Sequence, residues 1–287
     1  MLPFWLSIGA LSLVQAALVA APRAVAWEPL QRLRSSWLAL ILPLSIVVVA
    51  AIAAESAVAD FLTYLALVAV PPLAAAALAW LVRGARPPLA LLVLPLFALA
   101  WAAKGELGGQ TAALALSALA CVSLGWLLAG VVPERWLKLG IYAMAAADAY
   151  LVGSDLLQEP NAVLNTAAPG AGLPRLQFVH FGSAVMGFGD VFIAAVLGAL
   201  LARDRRLQLV HFGTAVMGFG DIFIAAVLGA LLARDRRRQL TGALLAAAIG
   251  VAFDCLFFAV DELPATVPIA LTLAVLEVWR PRGVRAG

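Results

Sequence analysis

Apolar runs follow one another along this chain with little between them, at about 2–21, 37–54, 57–82, 87–103, 111–132, 137–157, 178–202, 209–233, 240–260 and 264–279. Each is close to the roughly 20 residues a helix needs to cross the hydrocarbon core of a bilayer. Backbone groups in lipid must bond within their own segment, which for runs of this length means helix. Soluble folding is ruled out by the same count: 64% of the 287 residues are hydrophobic and 12% charged, at a mean hydropathy of +1.03. A water-facing surface draws on about a quarter charged residues. The sequence therefore predicts an all-α polytopic membrane protein. A bundle of about five spans over 1–136 precedes a second half, 137–287, that holds most of the unusual residues.

Between runs the chain is short and mostly charged, so any chemistry lies within the bilayer or at its edge. "LQEPNAVLNTAAPGAGLPRLQ" is the one long polar connection. Cys121 and Cys255 lie inside apolar runs and read as small buried hydrophobes. The pI near 9.2 comes from arginines between spans, which is a topology signal and points to no nucleic-acid partner. The opening "MLPFWLSIGALSLVQAALVAAPRAVAW" has no basic residue before its apolar part, so it reads as a retained first span. Pro71-Pro72 predicts a kink or break in the third run.

One 31-residue unit occurs twice in tandem. Positions 176–206 match 207–237 except at Phe178/Leu209, Ser183/Thr214 and Val191/Ile222. Without one copy the runs number nine, and the charges then alternate. "PRAVAWEPLQRLR", "RGAR", "ERWLK", "RDRR" and "RPRGVR" follow the odd spans, while "AES", "KGELGG", "QEPN" and "DELP" follow the even ones. Basic loops stay in the cytoplasm, so this order places the N-terminus outside. Ten full spans would put "RDRR" and "RDRRR" on opposite faces. One copy is therefore expected to be displaced, re-entrant or interfacial.

Acids well inside the runs are Asp148, Asp155, Asp190, Asp221 and Asp254, with Glu55 and Asp60 nearer a boundary. A carboxylate at bilayer depth costs a few kcal/mol, so it marks either a function or a polar contact between helices. Asp190 and Asp221 each close a "GFGD", where Gly187 and Gly189, or Gly218 and Gly220, remove side chains just ahead of the acid. Close helix packing is the other use of such glycines. Asp148 sits near the middle of its run, in "YAMAAADAYL", and Asp155 lies two turns further along the same face.

Two carboxylates sharing a site resist ionising together. The charged one can take a proton from an attacking water while the protonated one donates to the carbonyl oxygen, which is peptide hydrolysis without a covalent intermediate. Other catalytic equipment is absent: His180 and His211 are equivalent repeat positions, and no Cys/His metal spacing, no G-x-S-x-G elbow and no phosphate loop occurs. Neither a metal nor a cofactor is called for.

These motifs resemble the presenilin and signal-peptide-peptidase family of intramembrane aspartyl proteases. That family has nine spans, a catalytic Asp in a "YD" motif on the sixth, another in "GxGD" on the seventh, and a "PAL" motif opening the ninth. "GFGD" at 187–190, again at 218–221, matches fully. Asp148 falls in the right span, preceded by Ala147 instead of Tyr. In "LPATVPIALTLAVLEVW" Pro264 and Ala265 match and Thr266 replaces Leu. The resemblance implies a nine-span bundle with one extra or displaced segment. Its catalytic pair would be Asp148 with Asp190 or Asp221, and Gly187, Gly189, Gly218, Gly220, Pro264 and Ala265 would line the substrate. Its substrates would be transmembrane or signal-peptide-like helices in a prokaryotic plasma membrane. "GxGD" also resembles the prepilin peptidases, where Asp155 would be the partner acid, although Asp190 is followed by "VFI" and not "VKL". Outside the proteases stand a proton-coupled transporter with a relay through Asp148, Asp190 and Asp254, and a non-catalytic scaffold.

Overall fold

The structure, a computed structural model, describes residues 4–23, 32–33, 35–44, 56–154, 156, 163, 166–203, 237–258 and 263–278. Asp155, Glu55, His211, Gly218, Gly220 and Asp221 lie outside the described residues, as does the second copy of the repeat up to 236.

Helices account for most of what is described. They are α1 (Phe4–Ala20), α2 (Ser56–Ala76), α3 (Val93–Ala102), α4 (Leu107–Val131), α5 (Glu134–Gly153), α6 (Phe188–Arg203), α7 (Arg237–Asp254) and α8 (Val267–Val278). Short 3₁₀ turns at Trp37–Leu40, Pro87–Leu92 and Cys255–Phe258 lead into or out of helix. Three helical stretches are long and apolar enough to cross a membrane, namely Ala59–Leu81, Leu107–Val131 and Gln239–Phe258. Four shorter apolar stretches join them: Phe4–Ala20, Pro87–Ala102, Phe188–Ala202 and Val267–Val278. That is the build of a membrane protein, mostly helical.

Two local expectations are corrected. The run at 57–82 does not break at its prolines: α2 passes through Pro71 and Pro72, and the departure comes just after them, in a π turn at Ala77–Leu81. Val82 N–H closes that turn on the Ala77 carbonyl at 3.0 Å, and Ser123 on α4 donates to the Leu73 carbonyl at 2.6 Å. The run at 178–202 does not begin as helix. It opens with a hairpin, β1 (Phe178–Phe181) and β2 (Ala184–Gly187), in antiparallel register from Phe178↔Gly187 to Phe181↔Ala184. Aromatic and β-branched residues favour strand here. Gly182, at φ +63°, makes the turn with Ser183, and both turn amides are satisfied, by Gln110 Oε1 at 2.8 Å and Ser7 Oγ at 3.2 Å.

Protein surrounds α6 on every side, because it packs against α1, α4, α5, α7 and α8. Every residue from Val191 to Leu200 is buried, with Ile193 to Leu197 fully so. A helix apolar all round belongs in such a position. Two glycines on its neighbourhood set the distance of approach. A Cβ on Gly125 of α4 would stand 2.7 Å from the Ala195 carbonyl carbon, and one on Gly198 of α6 would stand 2.5 Å from the Leu18 carbonyl oxygen.

Contacts along the helices give their directions. α1 and α6 run parallel, since Ser7 meets Ser183, Gln15 meets Asp190, and Leu18 and Val19 meet Gly198. α4 follows the same sense, with Gln110 at Gly182 and Gly125 at Ala195. α7 is antiparallel to α1: Asp254 bonds Ser12, whereas Gly242 lies at Val19. α5 is antiparallel to α8, with Asp148 at Thr266 and Tyr142 at Glu277.

Arg83 and Lys138 accordingly lie at one end, while Lys104 bonds the Gly172 carbonyl near the start of α4 at the other. Arg83 donates from its backbone to Ala21 and from Nε to Ala20, both at 3.2 Å, and its guanidinium bonds Gln239, whose amide donates to Pro22 at 2.9 Å. Leu201 and Leu276 both abut Gly242, which brings the ends of α6 and α8 and the start of α7 to that same level. Lys138, paired with Glu134 at 2.7 Å and Glu277 at 3.0 Å, belongs there too. The opposite end carries an aromatic cluster, with Trp5 stacked on Phe258 at 4.4 Å and Phe4 edge-on to Phe257 at 5.3 Å. Aromatic rings favour the headgroup level of a bilayer.

Candidate active site

Asp148 lies on α5 with 7% of its surface exposed. Its Oδ2 accepts two hydrogen bonds from one residue, the Thr266 hydroxyl at 2.6 Å and the Thr266 amide at 3.3 Å. Thr266 is fully buried and immediately precedes α8. The residue that departs from the expected "PAL" is thus the one holding the carboxylate. A leucine there could not donate from its side chain.

Asp190 stands in the first turn of α6, two residues after the strand-to-helix junction. Its Oδ2 accepts from the Gly187 amide at 3.0 Å. An acid at the third helical position reaching back to the cap amide satisfies a donor that the helix start leaves open. A Cβ on Gly187 would stand 3.1 Å from Asp190 Oδ2, so the carboxylate would have to give by a few tenths of an ångström. A Cβ on Gly189 would stand 3.3 Å from Met144 Cε, one turn before Asp148 on α5. So one glycine makes room for the carboxylate and the other for the neighbouring helix.

Asp148 and Asp190 therefore lie on neighbouring stretches of α5 and α6, with Gly189 beside Asp190 against Met144, one turn before Asp148. Among the described residues neither has a cationic partner, the ion pairs being those of Lys138. Their surroundings differ. Asp148 is enclosed beneath Thr266, while Asp190 is half-buried beside exposed Gly187. β2 leads directly to it, with Val185 49% exposed.

Gln15 of α1, 3% exposed, joins the two segments. Its Nε2 donates to the Asp190 carbonyl at 3.0 Å and to the Ala265 carbonyl at 3.3 Å. Pro264 and Ala265 therefore lie at the site through their backbone. Sequence reasoning missed Gln15; its signal was a lone amide in the middle of an otherwise apolar first run. The remaining acids lie elsewhere. Asp254 accepts from Ser12 Oγ at 2.7 Å, between α7 and α1, and Asp60 is exposed near the start of α2. His180 is exposed on β1, opposite Val185. Among the described residues no three His, Cys, Asp or Glu side chains converge as metal ligands.

Compared with known protein families, with characterised proteins and with solved structures, the chain shows no match.

Proposed function

We propose that the chain is an intramembrane aspartyl endopeptidase of the presenilin and signal-peptide-peptidase kind, with Asp148 and Asp190 as its acid pair. One observation carries this reading. Two carboxylates from helices separated by a long polar connection are tied to one region, Asp148 through Thr266 and Asp190 through the Gln15 amide that also bonds the Ala265 carbonyl, with no cationic partner among the described residues. A structural role alone would give each acid a hydrogen-bond donor; it would not bring two like charges together.

In the reaction, one carboxylate takes a proton from a water between them and the water oxygen bonds the scissile carbonyl carbon. The protonated partner donates to the carbonyl oxygen, and collapse of that intermediate passes a proton to the leaving amine. Substrate must present an unwound segment. β2, whose Val185 is exposed, ends three residues before Asp190 and is where such a segment would pair its main chain. The bundle has nine spans in this reading, in a prokaryotic plasma membrane with the basic ends in the cytoplasm and the N-terminus outside. Transmembrane or signal-peptide-like helices are the substrates. A proton relay finds less support, because its third acid, Asp254, is bonded to Ser12.

The test is cleavage of a tagged single-span reporter by purified protein in liposomes, beside Asp148→Ala, Asp190→Ala, Asp221→Ala and the Asp190/Asp221 double change. Loss of at least about a hundredfold with Asp148→Ala and with Asp190→Ala, and retention with Asp221→Ala, is the expected pattern for a general acid–base pair. A parent that cleaves none of several reporters would overturn the protease and leave Asp190 as a helix-capping acid.

A further inference from the structure

We infer that Gln15, in the first span, is the positioning residue that holds the two halves of this site in register. The inference rests on the protease reading for its catalytic consequence and on geometry alone for the rest. A glutamine side-chain amide carries two hydrogens on one nitrogen, splayed apart. At Gln15 they serve two main-chain acceptors far apart in sequence, the carbonyl of Asp190 itself and that of Ala265. Asp190 bears one carboxylate. Ala265 adjoins Thr266, whose amide and hydroxyl hold the other. Gln15 thus reaches one acid through its own backbone and the second through the Ala265–Thr266 peptide and the hydrogen bonds Thr266 donates to Asp148.

The location makes this more than a packing contact. Gln15 is buried among apolar side chains, where a polar group persists only if its bonds are made and removing one partner is costly. The Ala265 carbonyl lies just ahead of α8 and outside its regular bonding. Ser12 and Ser7 anchor the same helix to Asp254 and to the hairpin turn, so α1 itself is fixed against the segments it aligns. Small displacements at a site of two carboxylates and one water lower the rate without abolishing binding.

Gln15→Met preserves length and removes both donors; Gln15→Asn keeps the amide but is one methylene too short to reach both carbonyls. Two measurements on full-length protein in detergent decide the matter. Amide hydrogen exchange reads local opening. In both variants it should quicken together at 187–194 and 264–270, on the order of tenfold, and stay unchanged across 112–122 of α4. Reporter cleavage should lose kcat on the order of tenfold, with KM within about twofold. Unchanged exchange, change in one segment only, or uniform loosening of the whole chain would overturn the inference, and so would variants that fail to fold at all. Should the parent prove unable to cleave, the protease reading falls, while paired exchange at the two segments still establishes the positioning role.

Discussion

A methyl group at position 187 would stand 3.1 Å from Asp190 Oδ2, closer than an unstrained contact, so the carboxylate would have to shift by a few tenths of an ångström and loosen its bond to the Gly187 amide. Gly187→Ala is therefore expected to lower reporter cleavage by about tenfold, the cost of a misplaced catalytic group, with little change in melting temperature. Gly108→Ala, where a Cβ meets nothing within 4 Å, is the matched control. Equal loss in both, or none in the first, would remove Gly187 from the site. The two acids were legible in the sequence because a carboxylate inside an apolar run is costly enough to be conspicuous. Thr266 was legible only as a departure from a motif, since the bond it makes joins residues 118 apart. Gln15 was not legible. Nothing local says where a single amide points, and its acceptors are backbone groups that leave no trace in side-chain spacing.

At the level of elements, α6 is gripped through bare backbone on two sides, by α4 at Gly125 and by α1 at its own Gly198. Gly125→Ala and Gly198→Ala each force main chains apart, and overpacking of this kind costs roughly 1–3 kcal/mol. Thermal unfolding followed by fluorescence or calorimetry should show both variants melting several degrees lower. Gly9→Ala, with open space around its Cβ, should melt like the parent. Identical midpoints would mean that α6 is not held as described. Helix positions followed from run length to within a few residues, for instance α4 and α8. The hairpin did not, because Phe178, Val179, Phe181, Ala184, Val185 and Met186 run on without a charge into the apolar span that follows, and only the Gly182-Ser183 turn separates the two. The proline pair does not end its helix, since each proline removes one donor from a segment whose other backbone bonds continue past it.

For the molecule as a whole, charge alternation among nine runs forecasts most basic residues at one end; Arg83 and Lys138 lie there, and Lys104, in the even segment "KGELGG", lies at the other. Orientation in a cell is open to a direct measurement. In a background lacking Cys121 and Cys255, Glu106→Cys should react with an impermeant maleimide added outside, and Arg86→Cys only after permeabilisation; both positions are exposed. The reverse pattern would invert the proposed topology. The ends of α6 and the start of α7 also bear on the tandem unit. Leu201 touches Gly242, so the chain leaves one helix and enters the next on the same side. Whatever path the intervening residues take, the sense of α7 and α8 is settled by that adjacency. The nearness of Leu201 to Gly242, and not the length of chain between them, thus sets which way the last two helices run.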